Sequence, residues 1–154
     1  MTFSTCLLRL LDATRVGSVG LALVACDAEA PVVPAPSRAI FARDVYPILL
    51  RDCGFAGCHG DPLRSFHVFG PGRLRLDPDM DLLDPPTDDE LSASYERTRA
   101  MLLRPAGEDE ALLIRKPGPG GGHEGVDRYG HNVYLGREDP ALVALAAWAA
   151  EEAP

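Results

Sequence analysis

The chain has 154 residues, which at roughly 100 to 200 residues per domain allows one globular domain with processing or linker segments and makes a second catalytic domain a poor expectation. Hydrophobic residues make up 46% and charged residues 25%, a globular composition rather than a disordered one; 15 glycines and 14 prolines against 6% aromatic residues predict short helices, long ordered loops and a core small enough to need a cofactor or crosslink. Fifteen Lys and Arg against 23 Asp and Glu give a formal net charge of −8, which repels polyphosphate and argues against nucleic acid as a partner.

In chain order, the first element is a targeting segment. Arg9 and Arg15 lead into an apolar or small-residue run, Val16 to Ala25, of the length of a signal h-region and well short of the roughly 20 residues that span a bilayer. Leu23-Val24-Ala25-Cys26 reads as a bacterial lipobox, with small residues for the peptidase followed by the cysteine that receives a diacylglycerol. Residues 1–25 are then a lipoprotein signal peptide and Cys26 is lipidated. The chain would be held at the periplasmic face of a bacterial membrane by acyl chains, each buried CH₂ contributing about 0.8 kcal/mol. A short buried helix with an incidental cysteine is the competing reading. After processing, 13 positive and 22 negative side chains remain, a net of −9. Residues 26–37 are Pro- and Ala-rich without periodicity and read as a flexible tether, leaving 38–154 as the domain.

Phe41, Val45, Ile48 and Leu49 follow i, i+4, i+7, i+8, a helical stripe in which Pro47 either kinks the helix or restarts it as a first-turn proline. The proline-rich stretch 60–86 reads as loop, with a short extended piece at Arg73 to Leu76. Thr87-Asp88-Asp89-Glu90 is a capping box ahead of Leu91, Tyr95, Thr98 and Leu102, which predicts a helix to about Leu103. A shorter helix is expected over Glu108 to Arg115, with its acidic residues at the dipole-favoured end. Lys116 to Asn132 holds six glycines and reads as loop. Asp139 as N-cap and Pro140 at the first position open a last helix carrying Leu142, Val143, Leu145, Ala146, Trp148 and Ala149.

Between the first two helices lies Cys53-Gly54-Phe55-Ala56-Gly57-Cys58-His59, a C-x-x-x-x-C-H sequence. The compact C-x-x-C-H form attaches c-type haem, because both thiols must reach the two vinyl groups on one porphyrin edge while the adjoining imidazole turns under the iron. Gly54 and Gly57 would let two extra residues loop out, and His59 would be the proximal ligand. Three other uses compete: a Cys53–Cys58 disulfide in an oxidising compartment, zinc, which would need two further ligands, and a redox dithiol, which usually has a two-residue spacer.

Val45-Tyr46-Pro47-Ile48-Leu49, the Cys58-His59-Gly60 sequence, Leu112-Leu113-Ile114-Arg115-Lys116-Pro117, His123-Glu124-Gly125 and the closing Asp139 to Trp148 segment together resemble the periplasmic cytochrome c domains of planctomycetes and myxobacteria, over residues 41–150. The x4 spacer and Glu124-Gly125-Val126, where two glycines are usual, are its departures from that pattern. The resemblance implies a mainly α-helical, class I cytochrome c-like domain with long Gly/Pro-rich loops, its C-terminal helix crossing the first. Leu142, Leu145 and Trp148 would then cover the first helix and a haem edge.

His123 lies in the glycine-rich loop from which such domains usually present the sixth iron ligand, and it is the expected distal ligand. His131, Met101, Met80 and His67 are the other candidates, beside an open site. Met101 falls among core leucines, Met80 among aspartates, and His67 only eight residues after His59. The leading expectation is a membrane-tethered monohaem electron carrier, with one covalent haem c and a redox partner presenting a basic face. The alternatives are a haem-free structural or interaction lipoprotein with a Cys53–Cys58 disulfide, and a peroxidase-like enzyme with an open iron. No hydrolase or transferase arrangement is visible, so no catalytic residue is named.

Overall fold

The computed structural model describes residues 32–104, 107–119 and 133–151. Among these residues the protein is mainly helical and has no strand, only one isolated bridge between Phe69 and Leu74 where the extended piece at Arg73 to Leu76 was expected. No helix among them is long and apolar enough to cross a membrane.

Ser37 caps the first helical run, its hydroxyl accepting the Ile40 N–H at 3.2 Å. The run comprises α1 (Arg38–Ile40), a π-helical turn (Phe41–Val45) and α2 (Tyr46–Asp52). Pro47 explains the interruption: its ring lacks an N–H and would clash with the carbonyl four residues back in a continuous α-helix. The widened turn instead lets the Tyr46 N–H reach the Phe41 carbonyl and places Pro47 in the first turn of α2. The register shift changes the buried face. Phe41, Val45, Tyr46 and Leu49 are buried while Ile48 is only partly so, so Tyr46 replaces Ile48 in the expected stripe.

The capping box forms as read: Thr87 Oγ1 accepts the Glu90 N–H at 3.1 Å and Glu90 Oε2 accepts the Thr87 N–H at 3.0 Å. It opens α3 (Asp88–Ala100), which stops short of Leu103 because Met101 closes it and turns its carbonyl to the Leu113 N–H at 2.9 Å. The next helix, α4 (Leu112–Arg115), is shorter than the expected Glu108 to Arg115. Glu108 and Glu110 instead form ion pairs with Arg115 and Arg137, so their carboxylates do not extend the helix. The last helix, α5 (Pro140–Ala149), opens with the Asp139 carboxylate accepting the Ala141 N–H at 2.9 Å. Its Leu142, Leu145 and Trp148 are buried, and Val143, placed in the apolar stripe by pattern, is half exposed.

Trp148 joins the elements. Its ring lies 5.4 Å from Phe41 and 6.2 Å from Tyr95 of α3, with Phe41 and Tyr95 edge-on at 5.3 Å, and its Nε1–H donates to the Ser37 carbonyl at 3.0 Å. Each such aromatic buries about 150–250 Å², and edge-on geometry adds roughly 0.5–1.5 kcal/mol beyond area.

The long loop before α3 is organised around one side chain. Arg75 is buried and forks onto Glu90, Nε to Oε1 and Nη2 to Oε2, both at 2.8 Å. Its Nη1 also donates to the Asp81 and Asp84 carbonyls at 2.8 Å. Glu90 accepts the Leu76 N–H at 3.1 Å as well. Burial works to raise the Glu90 pKa, yet Arg75 and the backbone donors of Thr87 and Leu76 hold the carboxyl below its usual range.

Of the segment read as a tether, residues 33–37 are docked on the domain. Arg99 donates to the Pro34 carbonyl at 2.8 Å and the Val33 carbonyl at 3.2 Å, Tyr95 to the Pro36 carbonyl at 2.7 Å, and the Ser37 N–H reaches Glu151 at 3.0 Å.

Candidate functional site

The Cys53 and Gly54 N–H groups both donate to the Leu49 carbonyl at 2.9 Å as α2 ends. The chain then doubles back. Cys58 N–H donates to the Phe55 carbonyl at 2.8 Å, His59 N–H to the Cys53 carbonyl at 2.9 Å, and Gly60 N–H to the Phe55 carbonyl at 2.9 Å. The longer spacer is taken up in this turn, which returns His59 to the first cysteine. Gly60 closes it because nothing larger fits: a Cβ there would lie 2.3 Å from the Gly54 carbonyl oxygen and 2.9 Å from the Phe55 carbonyl carbon.

Both thiols are free and partly buried. Burial pushes Cys53 up to about 12, with Asp52 and Cys58 adding like charge, so it remains a protonated thiol at neutral pH. Tyr134 is buried nearby. Its hydroxyl lies close to Asp52 but outside hydrogen-bond geometry and has no partner among the described residues; burial, and then the proximity of Cys53, raise it far above an ordinary phenol.

The segment after the turn comes back alongside His59. Val68 N–H donates to the His59 carbonyl at 3.1 Å, and His59 Nδ1 lies 3.1 Å from the Phe66 carbonyl oxygen. A carbonyl only accepts, so Nδ1 donates to it, the contact by which a backbone carbonyl orients the ring of a metal-ligating histidine. The Phe66 ring stands edge-on to the imidazole at 4.7 Å.

This donor set fits a c-type haem: two free thiols in one turn and an imidazole whose ring is oriented through Nδ1. Phe55, within the motif, is a large apolar side chain left about half exposed. Among the described residues no group of three or more His, Cys, Asp or Glu is arranged to hold a metal ion, which leaves the zinc reading without its further ligands there.

The remaining candidates separate. Met101 closes α3 and packs against the core, as expected of a core residue. Met80 Sδ accepts from Arg75 Nη2 at 3.2 Å. His67 is buried, with neither ring nitrogen partnered among the described residues. His123, His131 and Cys26 lie outside the described residues. Sequence reasoning missed the Phe66 carbonyl, Tyr134 and the Arg75–Glu90 pair. No motif announces the first two, whereas Glu90 was visible only in its capping role.

A cleft of about 570 Å³ lies elsewhere, lined by Val32, Pro34, Leu102, Ile114, Ala146 and Ala149 among others, and includes no residue of the cysteine–histidine turn. No family model, no curated protein and no solved structure matches the chain.

Proposed function

We propose that the domain carries one haem c, bound through Cys53 and Cys58 with His59 on the iron, and works as a membrane-tethered electron carrier of the class I cytochrome c-like type. The observation that supports this most is the 3.1 Å approach of His59 Nδ1 to the Phe66 carbonyl, because a carbonyl holding one ring nitrogen is the arrangement that orients a metal-ligating histidine. The crossing of Trp148 on Phe41 also supports it, being the arrangement of first and last helices expected of such a domain.

Attachment needs no oxidant: each thiol S–H adds across a vinyl group, sulfur bonding one carbon and the proton going to the other. Cys53 would enter that addition as a protonated thiol, its pKa raised by burial. His59 is held by its ring nitrogen and by its backbone on both sides, so it presents one orientation. The bound haem supplies one-electron iron chemistry. His123 is the proposed sixth ligand, Cys26 the proposed lipid attachment point at the periplasmic face, and a basic protein face the proposed partner. A net charge of −9 would steer that partner over a range that salt shortens to about 10 Å at 0.1 M.

The test is intact-mass analysis and a pyridine-haemochrome spectrum of the full chain expressed with a periplasmic haem-attachment system. One added haem that survives acid acetone is expected. A chain lighter by two hydrogens with no Soret band would overturn the proposal in favour of the Cys53–Cys58 disulfide.

A further inference from the structure

The spacer between Cys53 and Cys58 is longer than the two residues of the compact haem motif, and the backbone freedom of the added residues must be lost when the turn forms. One side chain from farther along the chain is closed over this spacer. In a continuing α-helix the Gly54 N–H would reach the Leu50 carbonyl; it goes to Leu49 instead, which leaves the Leu50 oxygen among the orphan carbonyls of a helix end. Arg73 takes it, Nε to oxygen at 2.7 Å. The same guanidinium lies over the Phe55 ring, 4.1 Å from its centroid, inside the roughly 6 Å range of a cation–π contact. Gly54 makes room for the arginine stem: a Cβ there would sit 3.1 and 3.2 Å from Arg73 Cδ and Cγ. Arg73 thus meets the last turn of α2 and the first two spacer residues together.

Arg73 is itself held in place. It closes a tight turn in which Gly70 N–H donates to the Leu74 carbonyl at 2.9 Å and Arg73 N–H to the Gly70 carbonyl at 3.0 Å, while Gly72 N–H reaches the Leu82 carbonyl at 2.7 Å. The Tyr46 hydroxyl of α2 donates to the Phe69 carbonyl at 2.7 Å, so this turn is anchored on the helix that carries Cys53. A Cβ on Gly70 would collide with that hydroxyl. At the other end of the side chain, Nη1 donates to the Gly72 carbonyl at 2.8 Å. The planar fork is what allows one side chain to bond two carbonyls and stack on a ring, and a lysine has no such plane. Phe55 is 48% exposed, so burial alone does not fix its ring.

We propose that Arg73 is a positioning residue for haem attachment: it clasps the longer spacer so that Cys53 and Cys58 stand at the separation of the two vinyl groups, a role that rests on the haem reading above. In the compact motif the short connection limits that separation; here the clasp does. Each thioether forms as one S–H adds across one vinyl group, sulfur bonding one carbon and the proton going to the other. The guanidinium stays protonated throughout, so Arg73 acts through the turn and transfers no proton.

The test matures the full chain with a periplasmic haem-attachment system, unfolds it and counts thioethers. After reduction, alkylation finds any Cys53 or Cys58 thiol left free in haem-bearing chains, and the α-band of the pyridine haemochrome shifts to longer wavelength when one vinyl group stays unreacted. The wild type should carry two thioethers. Arg73→Met, which keeps the apolar stem, should give haem-bearing chains with one alkylated thiol and the shifted band, and Arg73→Lys should fall between the two. Deleting Phe55 and Ala56 leaves a compact spacer, and Arg73→Met in that background should regain both thioethers, a rescue that a merely weakened fold would not show. Phe55→Leu serves where the deletion or Arg73→Met fails to mature: it should lose the second thioether by itself, and adding it to Arg73→Met should cost little more, as for two partners in one contact. Two thioethers at the wild-type level in Arg73→Met and Phe55→Leu would overturn the positioning role alone. A wild-type chain without covalent haem would overturn the haem proposal and this role with it.

Discussion

Replacing Gly60 by alanine tests the turn on which the whole candidate site depends. The added Cβ would sit 2.3 Å from the Gly54 oxygen and 2.9 and 3.0 Å from the Phe55 carbonyl carbon and oxygen. Ordinary contact is about 3.5–4.0 Å, so relief needs a shift on the order of 1 Å. All three atoms are backbone, so no side chain can rotate away. The shift falls on the Gly60 N–H to Phe55 bond and the neighbouring His59 N–H to Cys53 bond, both 2.9 Å. Overpacking costs about 1–3 kcal/mol and one or two weakened hydrogen bonds about 1 kcal/mol each, so roughly 2–5 kcal/mol is expected. That is a large share of a total of about 5–15 kcal/mol. Gly72→Ala is the control: its Cβ would meet nothing within 4 Å, although φ is +67°, so only the left-handed backbone penalty of about 1–2 kcal/mol applies. Urea unfolding followed by circular dichroism reads the difference; with m about 2 kcal/mol/M, Gly60→Ala should lower the midpoint by about 1–2.5 M, and less haem should be attached per chain. A Gly60→Ala midpoint at the wild-type value, or above that of Gly72→Ala, would refute the steric account of the turn.

Trp148→Ala should cost about 3–5 kcal/mol in the same unfolding assay, because the ring fills the space between Phe41 and Tyr95 and its N–H satisfies Ser37. Glu90 supports a stability–pH prediction. Its folded pKa is depressed below the ordinary 4.5, so its contribution is present above that value and is lost as pH falls through the lower folded value. Glu90→Gln should therefore be less stable at neutral pH, and acid titration of its melting temperature below about pH 4.5 should be flatter than in wild type. Cys26→Ser should move the chain from the membrane fraction to the soluble periplasm or leave it unprocessed, read by fractionation and mass. His123→Ala should shift the haem spectrum toward high spin and open ferrous iron to carbon monoxide, whereas Met101→Leu should leave both unchanged.

What could be read in the sequence was local. The Thr87–Glu90 box and the Asp139-Pro140 start depend on residues within four positions of one another, and both form as read. Pro47 was visible as a disruption, but whether the helix breaks or widens depends on what its far face meets, and burying Tyr46 against the Phe69 carbonyl selects the π-turn. The C-x-x-x-x-C-H spacing marked the thiols and imidazole, yet the carbonyl that orients the imidazole comes from a return of the chain seven residues later, which no spacing rule encodes. Glu90 shows the same limit. A helix-start glutamate needs only its own backbone to explain it, so nothing local announced that Arg75 would bury it and fold ten loop residues around the pair.

The docking of residues 33–37 bears on mechanics. Arg99 and Tyr95 of α3, Trp148 of α5 and Glu151 all grip this short stretch, so tension arriving along the chain from its N-terminal side meets these bonds before it reaches the first helical run. The force enters beside Trp148 and Tyr95, far along the first helical run from the cysteine–histidine turn. A pull on residues 33–37 would load the aromatic junction before it reached the residues that set the position of His59.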